Sequence, residues 1–345
     1  MLLVMVLLTG CGRDRDRRPV LDGGPGFDGG PGLDGGPGFD GGPMPMPGEW
    51  VDPSCIDGMY AETLPDVDAS IDDLVLGYSS AEYQTFIDQV LEVRYPIGAA
   101  VVRGGRSHTE IGGDCVELFL SSRADADGVI QQLSTVVHEC GHFYDLGEGG
   151  FSDATYVVRP DLTFSCSQGD STDRGGLTFA RSRIRGDAYS PLRPPCGGGG
   201  SGCDFYADVY LDGNPDDGTF DGGDQGFDSL LEETVQYVSS LATGYAFHDR
   251  DTGRVSERDG ILTFLWYLGR YLRMARTDFP PAYAHLSGDT CWRTAVLTVW
   301  GRAWLYLEAT EDITSLGIDD AAILDLATSP DMLEEIERLR ALQGC

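Results

Sequence analysis

Residues 133–145 read LSTVVHECGHFYD, a segment in which apolar side chains recur at helical spacing. The apolar stripe runs from Val129 to Tyr144, as expected for one buried helix face. His138 and His142 stand four residues apart, so they lie one turn apart on the same face of that helix. The segment therefore predicts a helix that presents two imidazoles together.

His138-Glu139-Cys140-Gly141-His142 matches HExxH, a metal-binding pattern of two imidazoles at this spacing. Zn²⁺ is bound by histidine nitrogens at about 2.0–2.1 Å, and a catalytic site keeps one position open for water. Glu139 stands where it can take a proton from that water, whose pKa the metal lowers to about 7. We therefore expect Zn²⁺ as cofactor, His138 and His142 as ligands and Glu139 as the catalytic base.

The helix predicted at 227–243 is the source of a third ligand. Its Glu232 and Glu233 flank the apolar face on opposite sides, so helical phase does not decide between them. The two helices together resemble those of gluzincins, zinc metallopeptidases of the thermolysin-like clan. In the gluzincin pattern Glu-x-x-x-Glu/Asp, the first acid binds zinc and the second supports a ligand. Glu232 is favoured, which puts Gln236 in the supporting position; Glu233 is the alternative, which puts Tyr237 there.

The resemblance also implies a fold and an activity. His142-Phe143-Tyr144-Asp145 is similar to the His-x-x-Asp ending of lethal-factor-type peptidases. The fold class expected is α+β and zincin-like, with a small mixed sheet packed on the HExxH helix and a mostly helical C-terminal lobe. The activity implied is endopeptidase cleavage of a protein or peptide substrate. The alternative is a zincin-fold surface lipoprotein without turnover that binds proteins or peptides.

A donor that stabilises the oxyanion is normally present in such enzymes. Tyr206, Tyr210, Tyr237 and His248 are the candidates, and His248 is our first choice. Cys140, inside the motif, points away from both histidines and is expected in a disulfide or in the core.

An acidic stretch predicts a second metal site. Asp212, Asn214 and Asp216 alternate like the first ligands of a calcium loop, which supplies hard oxygen ligands. Asp217 stands where an EF-hand has glycine, so the stretch is not an EF-hand. Ca²⁺ is thus a second expected cofactor, and a solvated acidic loop is the alternative.

The rest of the folded region shows further periodic segments. Residues 97–103 and 115–121 are rich in β-formers and predict two strands, of which 115–121 is implied by the resemblance to bind extended peptide. Residues 156–158 predict a short strand. Asp125 or Asp127 is expected to cap the HExxH helix. Further helices are expected at these positions: 80–93, 256–276, 290–309 and 319–342.

The first fifty residues resemble an export signal followed by a tether. An apolar run at 1–8 ends in Leu8-Thr9-Gly10-Cys11, similar to a bacterial lipoprotein signal with lipidation at Cys11. From Asp22 a six-residue Asp-Gly-Gly-Pro-Gly-Phe/Leu unit repeats, a composition that is typical of flexible linkers. The predicted organisation is as follows: 1–11 signal, 12–50 tether, 51–250 catalytic domain with a Cys/Asp-rich insert at 147–225, and 251–345 helical lobe.

Cysteine content and charge indicate the compartment and the partners. If Cys11 carries lipid, eight cysteines remain, enough for up to four disulfides in an exported chain. The net charge is −32, which excludes nucleic acid and disfavours anionic lipid surfaces. We expect a secreted protein of the bacterial cell envelope, on the outer membrane or cell surface, that contacts the membrane only through its lipid anchor.

Overall fold

Helices dominate this protein. The structure, a computed structural model, describes residues 50–150, 154–166, 173–193, 205–250 and 253–345. Within these ranges, thirteen α-helices accompany one antiparallel sheet of two strands. The coarse α+β expectation is met, with more helix than expected and with an antiparallel rather than a mixed sheet.

The first six helices precede or carry the HExxH motif. Phe86, Ile87, Val90 and Leu91 bury one face of α2, which agrees with the helix predicted at 80–93. The helices have these bounds: α1 Asp72–Leu76, α2 Tyr83–Arg94, α3 Pro96–Ser107, α4 Cys115–Phe119, α5 Ala126–Ile130 and α6 Leu133–Gly149.

Both strands predicted before the motif are wrong, because residues 97–103 lie in α3 and residues 115–119 form α4. Pro96 occupies the first turn of α3, a position that favours helix. Asp114 caps α4 by accepting a hydrogen bond from the Val116 amide at 2.9 Å. The apolar runs are buried helix faces rather than strands, so the expected peptide-binding edge strand at 115–121 does not exist.

The helix that carries the motif begins later than the apolar stripe. Asp125 caps α5, where its side chain accepts from the Gly128 amide at 2.7 Å. The helix is then interrupted at residues 131–132, and α6 begins at Leu133. Asp125 therefore caps a preceding short helix and not the motif helix itself, and Asp127 lies inside α5.

The sheet is a hairpin that directly follows α6. β1 (Ala154–Arg159) pairs with β2 (Leu162–Cys166), and Ala154 lies opposite Cys166. The strand predicted at 156–158 is confirmed within β1. Its first five residues are all buried, so the hairpin packs against the core beside the motif helix.

Seven further helices complete the described chain. The helix predicted at 319–342 is interrupted before Pro330, which begins a new helix at its first turn. The helices have these bounds: α7 Phe205–Tyr210, α8 Phe227–Phe247, α9 Glu257–Asp278, α10 Pro280–Gly288, α11 Thr290–Ala309, α12 Asp320–Ala327 and α13 Pro330–Gln343.

Helices α6 and α8 lie at the centre of the molecule. α6 packs between α3 and α8, and α8 packs in turn on α9 and α11. Gly105 of α3 allows this closeness, because a Cβ there would lie 2.2 Å from the Cys140 carbonyl oxygen. Buried side chains from both sides of residue 250 join one hydrophobic core. The domain boundary at 250/251 stays a prediction.

Three disulfides join distant parts of the described chain: Cys55–Cys345, Cys115–Cys140 and Cys166–Cys291. They fit an oxidising compartment outside the cytoplasm. Cys140 is in a disulfide, one of its two expected roles. Cys11, Cys196 and Cys203 lie outside the described residues. Among the described helices, none combines the length and the apolar character that crossing a bilayer requires.

Candidate metal centre

His138 and His142 meet on the face of α6 that is turned towards α8. Both side chains are buried, and their ring centroids are 4.9 Å apart with the ring planes inclined at 70°. Helix geometry alone produces this arrangement, because residues four apart are neighbours on one face. The predicted pair of imidazoles is therefore present.

Glu233 of α8 completes a three-residue cluster with the two histidines. Its Oε2 lies 3.5 Å from His138 Nε2 and 3.6 Å from His142 Nε2. These separations are too long for good hydrogen bonds. Two ligands bound at about 2.1 Å to a tetrahedral ion lie about 3.4 Å apart, so the spacing suits a shared metal.

The Glu233 carboxylate carries a further sign of a missing partner. Its Oε2 is buried and accepts no hydrogen bond within the described structure. Leaving a buried charged oxygen unpaired is costly, and such groups commonly coordinate a metal. No other group of three His, Cys, Asp or Glu side chains in the described residues brings its donor atoms within 4.8 Å of one another. The residues present fit a divalent cation, and two histidines with one glutamate are a known catalytic zinc set.

Glu232, the favoured third ligand, is not part of the cluster. Its Oε1 lies 2.9 Å from His142 Nδ1, the ring nitrogen that faces away from Glu233. The alternative, Glu233, joins the two histidines in the group that could hold a metal, while Glu232 orients the His142 ring from its other side. Helical phase could not separate these neighbours, because the choice depends on how α8 is rotated against α6.

Ser240 orients the ring of His138 as Glu232 orients that of His142, and no sequence pattern pointed to this serine. Its Oγ lies 3.0 Å from His138 Nδ1. A hydrogen bond at Nδ1 leaves Nε2 as the nitrogen that faces Glu233. Both imidazoles are thus oriented with Nε2 towards one point.

Electrostatics couple the cluster. Burial lowers the pKa of His142, but Glu232 and Glu233 outweigh it and raise that pKa to about 10. Burial raises the pKa of Glu233, but His142 and His138 outweigh it and lower that pKa to about 2. In the absence of metal, a proton on His142 therefore balances part of the buried negative charge.

Further carboxylates surround this cluster. Burial raises the pKa of Glu139, and its position beside both histidines only partly opposes that shift. Burial also raises the pKa of Asp228 to about 7, although Tyr156 donates a hydrogen bond to it. Arg181 is a buried cation whose charge also lowers the pKa of Glu233. Acidic groups outnumber basic ones here, which favours a bound cation.

The four candidate oxyanion donors lie in different places. The ring of Tyr237 packs edge-on against His138 at 4.9 Å, and its hydroxyl is 2.7 Å from that of Tyr210. The hydroxyl of Tyr206 lies near Ser256. His248, our first choice, follows the end of α8, where its Nδ1 lies 2.8 Å from the Tyr245 carbonyl oxygen. The structure brings Tyr237, and not His248, to the histidine pair.

The expected calcium ligands are engaged by arginines. Asp212 pairs with Arg185 at 3.3 Å and Asp216 with Arg183 at 3.0 Å. Arg174, at φ +65°, donates to the carbonyl oxygens of the same loop: Asn214 at 3.5 Å, Asp217 at 3.1 Å and Thr219 at 2.6 Å. Guanidinium groups thus occupy the oxygen-rich loop, and its residues contribute to no metal cluster among those described.

Comparisons with known proteins add no assignment. The chain matches no family model, no curated protein and no solved structure.

Proposed function

We propose that this protein is a zinc-dependent endopeptidase in which His138, His142 and Glu233 hold the metal. One observation carries the proposal: the buried Oε2 of Glu233 accepts no hydrogen bond within the described structure and faces the Nε2 atoms of both histidines at 3.5 and 3.6 Å. The donor set and the adjacent glutamate support a gluzincin-type arrangement, with Glu233 in place of Glu232.

The side chains of the site divide the work of peptide hydrolysis. Bound Zn²⁺ would supply Lewis acidity, which lowers the pKa of water to about 7 and polarises a carbonyl oxygen. Glu139 is the proton acceptor, because it follows His138 directly on the helix and its carboxylate interacts electrostatically with both histidines. Burial raises its pKa, which suits a group that takes a proton and later gives it to the leaving amine.

Exchanging Glu139→Gln tests this role. We expect hydrolysis of a fluorogenic peptide library to fall by at least about 10²-fold, the lower end for a lost general base, with zinc still bound at about one per chain. Glu148→Gln is the matched control, because Glu148 lies on the same helix but is half exposed and away from the cluster. Hydrolysis that survives Glu139→Gln would refute the assigned role.

A second candidate function has its own supporting observation. The three ligands and Glu139 are at most 5% exposed, so the described residues leave little room for substrate at the cluster. This burial favours a protein that holds metal and binds peptides without cleaving them. Wild-type protein that contains stoichiometric zinc, binds library peptides and cleaves none of them would favour this function over the peptidase.

The proposed location is the cell envelope, with lipid attached at Cys11. The three disulfides support export from the cytoplasm. Labelled fatty acid should enter the wild-type protein and not Cys11→Ala. Equal labelling of both would show that the anchor is elsewhere.

A further inference from the structure

A hydrogen-bonded pair links α6 and α8 one turn beyond the metal cluster. Gln236 Nε2 donates to Asp145 Oδ2 at 2.9 Å. Asp145 stands three residues after His142, and Gln236 three residues after Glu233. The contact therefore joins the two helices immediately beside the residues whose separation matters for metal binding.

Asp145 extends the link to a third element. Its Oδ1 accepts a hydrogen bond from the Val157 amide of β1 at 2.7 Å. Asp145 is 3% exposed, so these bonds replace contacts with water. One carboxylate thus holds α6, α8 and β1 together.

Gly141 shows how closely the amide of Gln236 approaches the motif. A Cβ at residue 141 would lie 1.8 Å from Gln236 Oε1. Glycine inside a helix costs about 1 kcal/mol relative to alanine. The glycine between the two histidines therefore provides the space that the Gln236 side chain fills.

We propose that Gln236 and Asp145 are a positioning pair that sets the distance between Glu233 and the two histidines. Gln236 occupies the position at which the gluzincin pattern, read with Glu232 as ligand, has a supporting acid. Here the acid of the pair is on the motif helix, as Asp145, and its partner must be a donor. An acid at both positions would place two carboxylates against each other in a buried site, which is unfavourable. The proposal rests on metal binding at the cluster and not on hydrolysis.

Reversing the polarity of the pair provides the test. Gln236→Glu should weaken zinc binding about 10–100-fold, as loss of an outer-sphere partner does, and should change the visible absorption of the Co²⁺-substituted protein. Asp145→Asn combined with Gln236→Glu should restore both, because the new amide can donate to the new carboxylate while its oxygen still accepts from Val157. Asp145→Asn alone should stay near wild type, since the Gln236 amide can rotate to accept.

Zinc affinity is measured by competition with a chromophoric chelator, and folding by thermal melts of the metal-free variants. Gln343→Glu is the matched control, because it adds the same charge on α13, where Arg293 donates to it. Equal zinc affinity and equal cobalt spectra for wild type and Gln236→Glu would overturn the positioning role, as would a double variant that binds zinc as weakly as Gln236→Glu or fails to fold.

The outcomes separate this proposal from the proposed function. Wild type that binds no metal contradicts both. Wild type that binds metal and cleaves no peptide contradicts only the peptidase, because every readout of the pair is metal affinity, a spectrum or a melt.

Discussion

Two buried charged clusters lie side by side in this protein, and they differ in whether their own groups hydrogen-bond to one another. In the first, Arg302 of α11 pairs with Glu62 at 3.0 Å, and both side chains are 1% exposed. In the second, His138, His142 and Glu233 are buried equally well, yet their facing atoms stand 3.5–3.6 Å apart. The charged groups of the first cluster are within hydrogen-bond distance of one another, whereas the Glu233 oxygen and the histidine nitrogens of the second are farther apart.

The Arg302 cluster shows how this chain pairs a buried charge when no ligand is needed. Tyr60 and Tyr306 both donate to the Glu62 carboxylate. Arg302 also donates to the Tyr95 hydroxyl at 2.9 Å and to Ser239 Oγ at 3.2 Å. Buried ionic groups in proteins are paired in this way. Unlike the Glu62 carboxylate, Glu233 has an oxygen that accepts no hydrogen bond within the described structure, and the two histidine Nε2 atoms that face it indicate a shared ligand.

The two clusters meet on consecutive residues of α8. Ser239 accepts from Arg302, and Ser240 orients His138. Because neighbouring helical residues point about 100° apart, one helix can serve a structural cluster on one face and a metal cluster on another. Substitutions that act on one cluster and spare the other test this division.

The largest expected effect is on metal affinity at Glu233. Glu233→Gln should weaken zinc binding on the order of 1,000-fold, more than the 10–100-fold that an outer partner provides. Glu232→Gln is the matched variant and should lose no more than about 100-fold. Chelator competition measures both. A greater loss for Glu232→Gln than for Glu233→Gln would restore Glu232 as the ligand.

The next effect is on folding and arises in the other cluster. Glu62→Gln leaves the Arg302 charge buried without its partner, which should lower the free energy of unfolding by about 3 kcal/mol. Zinc affinity should stay within about twofold, because the hydrogen bonds of Glu62 among the described residues go to Tyr60, Arg302 and Tyr306 and not to the metal cluster. Urea denaturation and chelator competition measure the two quantities. A large loss of zinc affinity with unchanged stability would show that the clusters are not divided as described.

Features set by local spacing were predictable from the sequence. His138 and His142 meet because residues four apart share a helix face, and α8 begins at the predicted residue 227. Cys140 was expected in a disulfide or in the core, and it forms a disulfide with Cys115. Each of these depends on neighbours within a turn or two of helix or on cysteine chemistry.

Features set by packing between distant segments were not predictable. The apolar runs at 97–103 and 115–121 have the composition of strands, but Pro96 and the Asp114 cap begin helices that are buried against α6. Glu233, rather than Glu232, faces both histidines because the rotation of α8 is set by its packing. Spacing along the chain placed Gln236 in the supporting position but could not show its partner, because Asp145 lies on another helix.

Two adjacent serines give a smaller and sharper test of the division on α8. Ser240→Ala removes the partner of His138 Nδ1 and should weaken zinc binding about tenfold, with little change in stability. Ser239→Ala removes a partner of Arg302 and should cost about 1 kcal/mol of stability, with zinc affinity unchanged. Metal competition and urea denaturation of both variants check the pattern. The same response from both serines would contradict the division.

The smallest effect is a pH dependence of stability that arises in the cluster of Glu62 and Arg302. Burial raises the pKa of Glu62, but Arg302 together with the Tyr306 and Tyr60 hydroxyls outweighs it, so the pKa lies below its usual 4.5. A carboxyl whose pKa is lowered by folding stabilises the folded protein above its unfolded pKa and loses that contribution as pH falls through the folded pKa. The difference in unfolding free energy between wild type and Glu62→Gln should therefore be constant above about pH 5 and shrink below the unfolded value, by at most about 1.4 kcal/mol per pH unit. Groups common to both proteins cancel in this difference, so urea denaturation of the pair from pH 7 to pH 3 isolates Glu62. A difference that widens as the pH falls would mean that burial dominates and that the Glu62–Arg302 pair does not hold its charge as the structure indicates.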